Sequence, residues 1–378
     1  MEINLPKKKE KQKKRRIMSK EKKRGECMQT IEKFANQLLS EAAVLRVSDI
    51  HIVPQKRNAI IRFRHDGRLF VKETISKETC ERLIAHFKFL ADMDIGERRR
   101  PQNGSMEIEV EMDIIHLRLS TLPTVYNESL VIRLLPQNSF LPLSRLFLFP
   151  RMTKKILSLL KHSSGLVIIT GPTGSGKTTT LYTLLEVCKT KFNRNIITLE
   201  DPIEKRTDDI IQVQINEKAN LTFATGLKAI LRHDPDVIMI GEIRDVETAR
   251  IAVRASLTGH LVLTTMHSKD AAGAVYRLME YDISLWELEQ TLLAVSAQRL
   301  VDLKCPFCEG KCNPFCYRYR RVRRIGVYEL LHGESLANVM QAARGGNVVH
   351  RYPTLHDIIK KGVALGFLPS HALEGGVK

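Results

Sequence analysis

Ten residues, GPTGSGKTTT at Gly171–Thr180, carry the clearest chemistry in the chain. Gly171, Gly176, Lys177 and Thr178 meet the spacing G-x-x-x-x-G-K-[ST] of a phosphate-binding loop. Glycines let backbone N–H groups turn inward around phosphate oxygens, and the N-terminus of a following helix adds a favourable field. Pro172, Thr173, Gly174, Ser175 and Thr179 complete the lining of that loop. Lys177 would neutralise β- and γ-phosphate oxygens, and the Thr178 hydroxyl would hold Mg²⁺. The expected ligands are therefore ATP and Mg²⁺, and the expected reaction is ATP hydrolysis. A Gly-rich turn without a ligand is the alternative. The apolar run GLVIIT before the loop and KTTTLYTLLEVCK after it read as strand and helix, which favours the phosphate reading.

Hydrolysis also needs carboxylates near the metal and the attacking water. Glu242 ends DVIMIGE, at the carboxyl end of an apolar strand, where ligands gather in open α/β sheets. Gly241 stands where an Asp often precedes this glutamate, so Glu242 is expected to serve the Mg²⁺ environment itself. A salt bridge with Arg244 is the alternative role. TLEDPIE brings Glu200, Asp201 and Glu204 together, and three such acids are costly to bury without a cation. A magnesium nucleotide supplies one. The residues alone do not choose between Glu200 and Glu204 as the base. In HLVLTTMHS, His260 and His267 bracket one strand; a γ-phosphate sensor, a subunit contact and a core position are all open to them.

Cys305, Cys308, Cys312 and Cys316 form C-x2-C-x3-C-x3-C. In a cytosolic chain such a cluster favours metal over disulfide. Four thiolates could hold one Zn²⁺ tetrahedrally; reduced free thiols are the alternative. Cys27, Cys80 and Cys188 are scattered and read as free thiols.

The elements that would position these residues fall into two domains. Helical spacing begins at Met28, SDIHIVP alternates as a strand, and AIIRFRHDGRLFVKE reads as a hairpin with its turn at HDG. A helix over 77–92 and strands over 115–123 and 128–136 complete an α+β domain, 28–145. Prolines at 136, 142 and 150 mark a linker. From 146 to 304, strands alternate with helices, which predicts a parallel sheet covered on both faces. The cysteine motif follows at 305–316. The segment 317–378 reads as short helices such as YELLHG and TLHDIIKKGVALG.

The net charge of +18 could suggest nucleic acid or an anionic surface. Its distribution weakens that reading, because residues 1–27 hold 12 Lys or Arg against 4 acids. That stretch is expected to be a disordered tail or a start assigned too far upstream. No apolar run reaches the ~18 residues of a membrane-spanning helix, and no secretory signal pattern opens the chain. The expected compartment is the cytoplasm.

Taken together, GPTGSGKTTTLY, TLEDPIE, LRHDPDVIMIGEIRD and TGHLVLTTMHS resemble the Walker A, Asp, Walker B and His boxes of the secretion ATPase family. SDIHIVP, DIGERRRPQNG and LRLSTLPTVYNESLVIRLLP resemble its N-terminal domain. The resemblance implies a RecA-like α/β ATPase domain, ATP with Mg²⁺, and a homohexameric ring. It implies a polytopic membrane platform protein as partner, pseudopilin assembly as the work done, and a place at the cytoplasmic face of the membrane. By motif position it makes Glu204 the water-activating residue and Glu242 the Walker B residue. Arg118 and Arg133 match arginines that close on the phosphates, and Arg324 matches a third. The compact cysteine group and the short N-terminal region look like the competence pseudopilus branch, which takes up transforming DNA. No direct contact with nucleic acid is implied. Type IV pilus extension and type II secretion are the alternatives, and a RecA-like DNA translocase is a more distant one.

Overall fold

The computed structural model describes residues 31–65, 67–110, 113–136, 141–308, 316, 322–346 and 352–375. The basic stretch 1–27 and Cys312 lie outside the described residues. The chain divides into two compact units, Met1–Asn138 and Ser139–Lys378.

In the first unit, α1 spans 31–44 and turns Ala35, Leu38, Leu39 and Ala42 inward at helical spacing. Six strands follow: β1 Asp49–Pro54, β2 Ala59–His65, β3 Arg68–Ile75, β4 Gln102–Val110, β5 Asp113–Thr124 and β6 Asn127–Pro136. Helix α2, Lys77–Leu90, stands between β3 and β4, with Ser76 capping its first turn. The sheet order is β3-β2-β1-β6-β5-β4. Strand alternation separates two faces. Ile50, Ile52, Ile61, Phe63, Leu117, Leu119, Leu130 and Ile132 face the helices and are buried. The opposite face holds Arg64, Asp49, Arg133 and Arg118 in register across four neighbouring strands. Strand β4 was not expected: QNGSMEIEV has no fully buried side and is rich in weak strand formers. Its pairing with β5 over its whole length makes it a strand.

The second unit is built on β7 Gly165–Thr170, β8 Ile196–Glu200, β9 Ile211–Gln214, β10 Val237–Ile240, β11 Leu261–Met266, β12 Leu292–Asp302 and β13 Arg324–His332. Their order is β13-β12-β7-β11-β10-β8-β9. All pairs are parallel except β12 with β13. The helices are α3 Arg151–Leu159, α4 Lys177–Phe192, α5 Phe223–Ile230, α6 Val246–Leu257, α7 Ala271–Glu280, α8 Leu285–Thr291, α9 Glu334–Ala343 and α10 Leu355–Ala364, with a last turn at Ala372–Gly375. Strand β7 shows why helices cover both sides: Leu166 and Ile168 enter one core cluster, Val167 and Ile169 the other.

One reading is corrected. YELLHG was expected as a helix, yet Tyr328–His332 is the second half of β13, paired with β12. The run Gly326–Leu331 is continuously buried, so both its faces need cover, and the edge of a sheet between helices supplies it. The segment after the cysteines thus contributes a strand to the ATPase sheet.

Candidate active site

The phosphate loop leaves the carboxyl end of β7, whose six residues are all buried. Gly171, Gly174 and Gly176 have φ of 149°, 78° and 86°. These are conformations that a side chain resists. At Gly171 space forbids one too, since a Cβ would stand 2.5 Å from the Gln298 carbonyl oxygen. Gly176 caps α4 without any side-chain cap bond, leaving first-turn N–H groups open to a ligand. Ser175 Oγ is buried with no hydrogen-bond partner. Pro172, Thr173 and Gly174 are exposed at the tip, as is Thr179 on α4. Thr178 is half-buried in the first turn of α4.

Lys177 donates to the carbonyls of Gly171 at 2.8 Å and Pro172 at 3.1 Å, closing the loop on itself. Burial holds its ammonium below the usual lysine range, while the charges of Glu242 and Glu204 pull the other way. Both glutamates are therefore electrostatic neighbours of Lys177. A bound phosphate would add charge of the same sign and replace the carbonyls as its partner.

Glu242 lies just past β10, positioned by hydrogen bonds of Gly241 to Leu199 and of Ile243 to Thr265. Its two oxygens meet Arg244 Nε at 2.9 Å and His267 Nε2 at 3.0 Å. Arg244 also lies 3.8 Å from Asp201, which is half-exposed. Asp201, Arg244, Glu242 and His267 thus form one polar row along the carboxyl ends of β8, β10 and β11. The salt bridge with Arg244, the alternative role for Glu242, is formed. The turn after β11 is tied to β7, as Ser268 N donates to Thr170 Oγ1 at 2.8 Å.

The two candidate bases separate. Glu200 is 3% exposed. It accepts hydrogen bonds from Tyr182, Thr198 and Gln212 at 2.7, 2.7 and 3.3 Å. Burial raises its pKa against those hydrogen bonds. Its carboxylate joins α4, β8 and β9. Glu204 is exposed.

The remaining residues divide as follows. His260 immediately precedes β11 and its Nδ1 lies 3.1 Å from Ala255 O, while its own carbonyl accepts from Gly165 N. Gly165 starts β7, so His260 stands a strand's length, about 20 Å, from the phosphate loop. Only His267 of the pair is brought to the loop. Arg118 and Arg133 belong to the first unit, paired with each other across β5 and β6. Arg133 Nε is 2.8 Å from Asp49. Arg324 opens β13 opposite Asp302, beyond Ala297, which pairs with Thr170.

Sequence reasoning missed Gln298 and Arg299. Strand β12 runs past the end of β7 and carries both alongside Gly171. Arg299 bridges Gln298 O at 2.9 Å and Lys269 O at 2.8 Å, tying β12 to the turn that bears His267. No motif announces them; only their neighbour in the sheet does.

Cys305, Cys308 and Cys316 bring their sulfurs within 4.8 Å of one another. Cys308 and Cys316 are 3.7 Å apart. With Zn–S bonds of about 2.3 Å, a tetrahedral site needs sulfurs about 3.8 Å apart. The three sulfurs fit that donor set. They sit where β12 ends, and Lys304 N bonds there to Phe367 O at 2.8 Å.

Residues 25–369 match the family described as Type II/IV secretion system protein. The chain is 56% identical to competence protein ComGA of Bacillus subtilis, over 91% of this chain and 97% of that one. It is 46% identical to type II secretion system protein E of Klebsiella pneumoniae, over 73% of this chain but 56% of the longer relative. Among solved structures, the ATPase DotB of Legionella pneumophila aligns with a TM-score of 0.71 at 24% identity, over 90% of this chain and 94% of that one. The pilus retraction motor PilT aligns at 0.63 and 24%, over 89% and 95%. Those two likenesses are of fold, and the fold is RecA-like. A complete phosphate loop, a carboxylate row beside it and a match over nearly the whole chain lead to one conclusion: the chain belongs to the type II/IV secretion system protein family and is a P-loop ATPase.

Proposed function

We propose that this ATPase drives assembly of a competence pseudopilus for uptake of transforming DNA. The observation that carries the reading is the 56% identity to a competence protein along 97% of its length. Type II secretion relatives match over little more than half of theirs. In this reading the chain works as a homohexamer at the cytoplasmic face of the membrane. Hydrolysis moves the ring against a polytopic platform protein, and pseudopilin subunits are added to a short filament. The ring need not touch the DNA. No helix among the described residues is long and apolar enough to cross a membrane. The test is a Lys177→Ala allele in a naturally transformable host lacking its own copy. Transformation and surface pseudopili should be lost while the protein persists at its normal level. Transformation at the parental frequency, with secretion of exoproteins lost instead, would move the assignment to type II secretion.

Within the site, Glu204 orients the attacking water, and Thr178 with Glu242 serves Mg²⁺. Asp201 and His267 complete the polar row near the γ-phosphate. Arg118 and Arg133 supply positive charge to the nucleotide in the assembled ring, with Arg324 as a third candidate. Arg118→Ala and Arg133→Ala are each expected to lower kcat by about 10²- to 10³-fold, as loss of one preorganised transition-state donor does. A nucleotide-bound ring in which both side chains face solvent would remove this role.

Cys305, Cys308 and Cys316, with Cys312, would hold one Zn²⁺ at the end of β12, beside the bond from Lys304 N to Phe367 O. Protein purified without chelators should carry about one zinc per chain. Stripping the metal should lower the melting temperature more than it lowers ATP affinity, because metal binding adds to folding free energy. Metal-free protein with four thiols freely reactive under native conditions would leave a plain loop there.

A further inference from the structure

We propose that Gln298 is a positioning residue for ATP hydrolysis, setting the peptide that presents the Gly176 N–H to the phosphates. It lies on β12, outside every motif of the loop, and is 1% exposed. Its Nε2 donates to the Ser175 carbonyl at 2.7 Å, and its Oε1 accepts from Thr180 Oγ1 at 2.9 Å. Thr180 Oγ1 is in turn 2.8 Å from the Tyr328 hydroxyl. Thr180 and Tyr328 are buried too.

The sense of this chain is determined by its donors. An amide oxygen only accepts, so the single Thr180 proton goes to Gln298, and Tyr328 must donate to Thr180. A flipped amide would set two oxygens against each other at Ser175. Burial pushes the Tyr328 phenol well above its usual range, so its proton stays in place. One row of hydrogen bonds therefore runs from β13 through α4 to β12 and ends on the phosphate loop.

Its mechanical effect follows from peptide geometry. In a planar trans peptide the C=O of Ser175 and the N–H of Gly176 point in opposite directions. Holding the carbonyl on Gln298 turns the Gly176 N–H to the other side, the hollow that receives phosphate. Gly176 at φ 86° allows that orientation, and a Cβ there would stand 3.0 Å from Gln298 Nε2. The close approach of Gln298 thus explains a loop glycine as well as the loop's shape. Gln298 touches the loop rather than the substrate, so it acts through Ser175 and Gly176.

The test is Gln298→Glu in the full-length protein, with ATP turnover followed at pH 8.5 and pH 6. The ionised carboxylate has no proton for the Ser175 carbonyl and faces it oxygen to oxygen. At pH 8.5, KM for ATP should rise about tenfold or more, the scale of one lost buried hydrogen bond with an unpaired partner. There kcat should stay within about threefold of the parent, because the loss is in phosphate binding. A buried carboxyl gains its proton well above its usual range. Once protonated it donates to Ser175 and accepts from Thr180, as the amide does. At pH 6, KM should therefore return toward the parent value, a recovery that a merely structural defect would not show. Parental KM at both pH values, or a loss without recovery, overturns the proposal. If Gln298→Glu does not fold, Thr180→Val carries the test, since it removes the hydroxyl that links Tyr328 to the Gln298 amide and sets that amide's sense. It should raise KM about threefold at unchanged kcat, and an unchanged KM overturns the proposal.

Discussion

Glu204→Gln is expected to bind ATP as the parent does and to hydrolyse it about 10²- to 10⁴-fold more slowly, the range for loss of a positioned general base. The substitution keeps shape and hydrogen-bonding reach but removes the group that takes a proton from water. Glu204 is exposed, and its charge is felt by Lys177. Glu200, its neighbour in the same motif, points inward to three hydrogen-bond donors. Glu200→Gln should therefore act on stability, by about 1–3 kcal/mol for a disturbed buried network, and only modestly on kcat in protein that remains folded. Single-turnover hydrolysis beside nucleotide binding separates the two. Full hydrolysis by Glu204→Gln with none by folded Glu200→Gln would reverse the roles.

Lys177→Ala should lower turnover by about 10³-fold or more and weaken ATP binding, since it removes the main protein charge at the β- and γ-phosphates. The fold should survive. Lys177 donates to carbonyls of its own loop, and its half-buried ammonium is held below its usual range. Burial outweighs the pull of Glu242 and Glu204, and the phosphates of a bound nucleotide would add the negative charge that favours the ammonium. Melting temperature should change little, or rise, in the absence of nucleotide. Near-parental turnover by the folded variant would remove the lysine from the reaction.

Much of this site was legible because its chemistry is local. The phosphate loop is one run of sequence whose spacing is dictated by a phosphate. Glu242 ends an apolar strand, and the topology of a parallel sheet then carries it to the same edge as the loop. The sequence was ambiguous where neighbours in space decide. Glu200 and Glu204 share a motif, and only Tyr182 on α4 and Gln212 on β9 show that one of them is buried. His260 and His267 look equivalent in HLVLTTMHS, yet a strand between them sends them to opposite ends of the sheet. Gln298 and Arg299 depend on β12 lying beside β7, a pairing no local pattern encodes. YELLHG resembled a helix because its apolar residues suit either state, and pairing with β12 settled it as a strand.

The basic stretch at the start, the source of much of the net charge, lies outside the described residues. The site itself supports phosphate chemistry without it. Lys177 lies in the loop and Arg299 beside it, both placed by the second unit's sheet. That is the arrangement for a bound nucleotide, and it gives the +18 charge no bearing on the assignment of the reaction.

The most direct measurement is steady-state phosphate release from ATP by the purified full-length protein, with Mg²⁺ and then with the metal withdrawn by a chelator. Turnover should be sustained, stop when Mg²⁺ is removed and resume when it is restored. Folded, assembled protein that binds ATP and Mg²⁺ yet releases no phosphate above background would contradict the ATPase assignment.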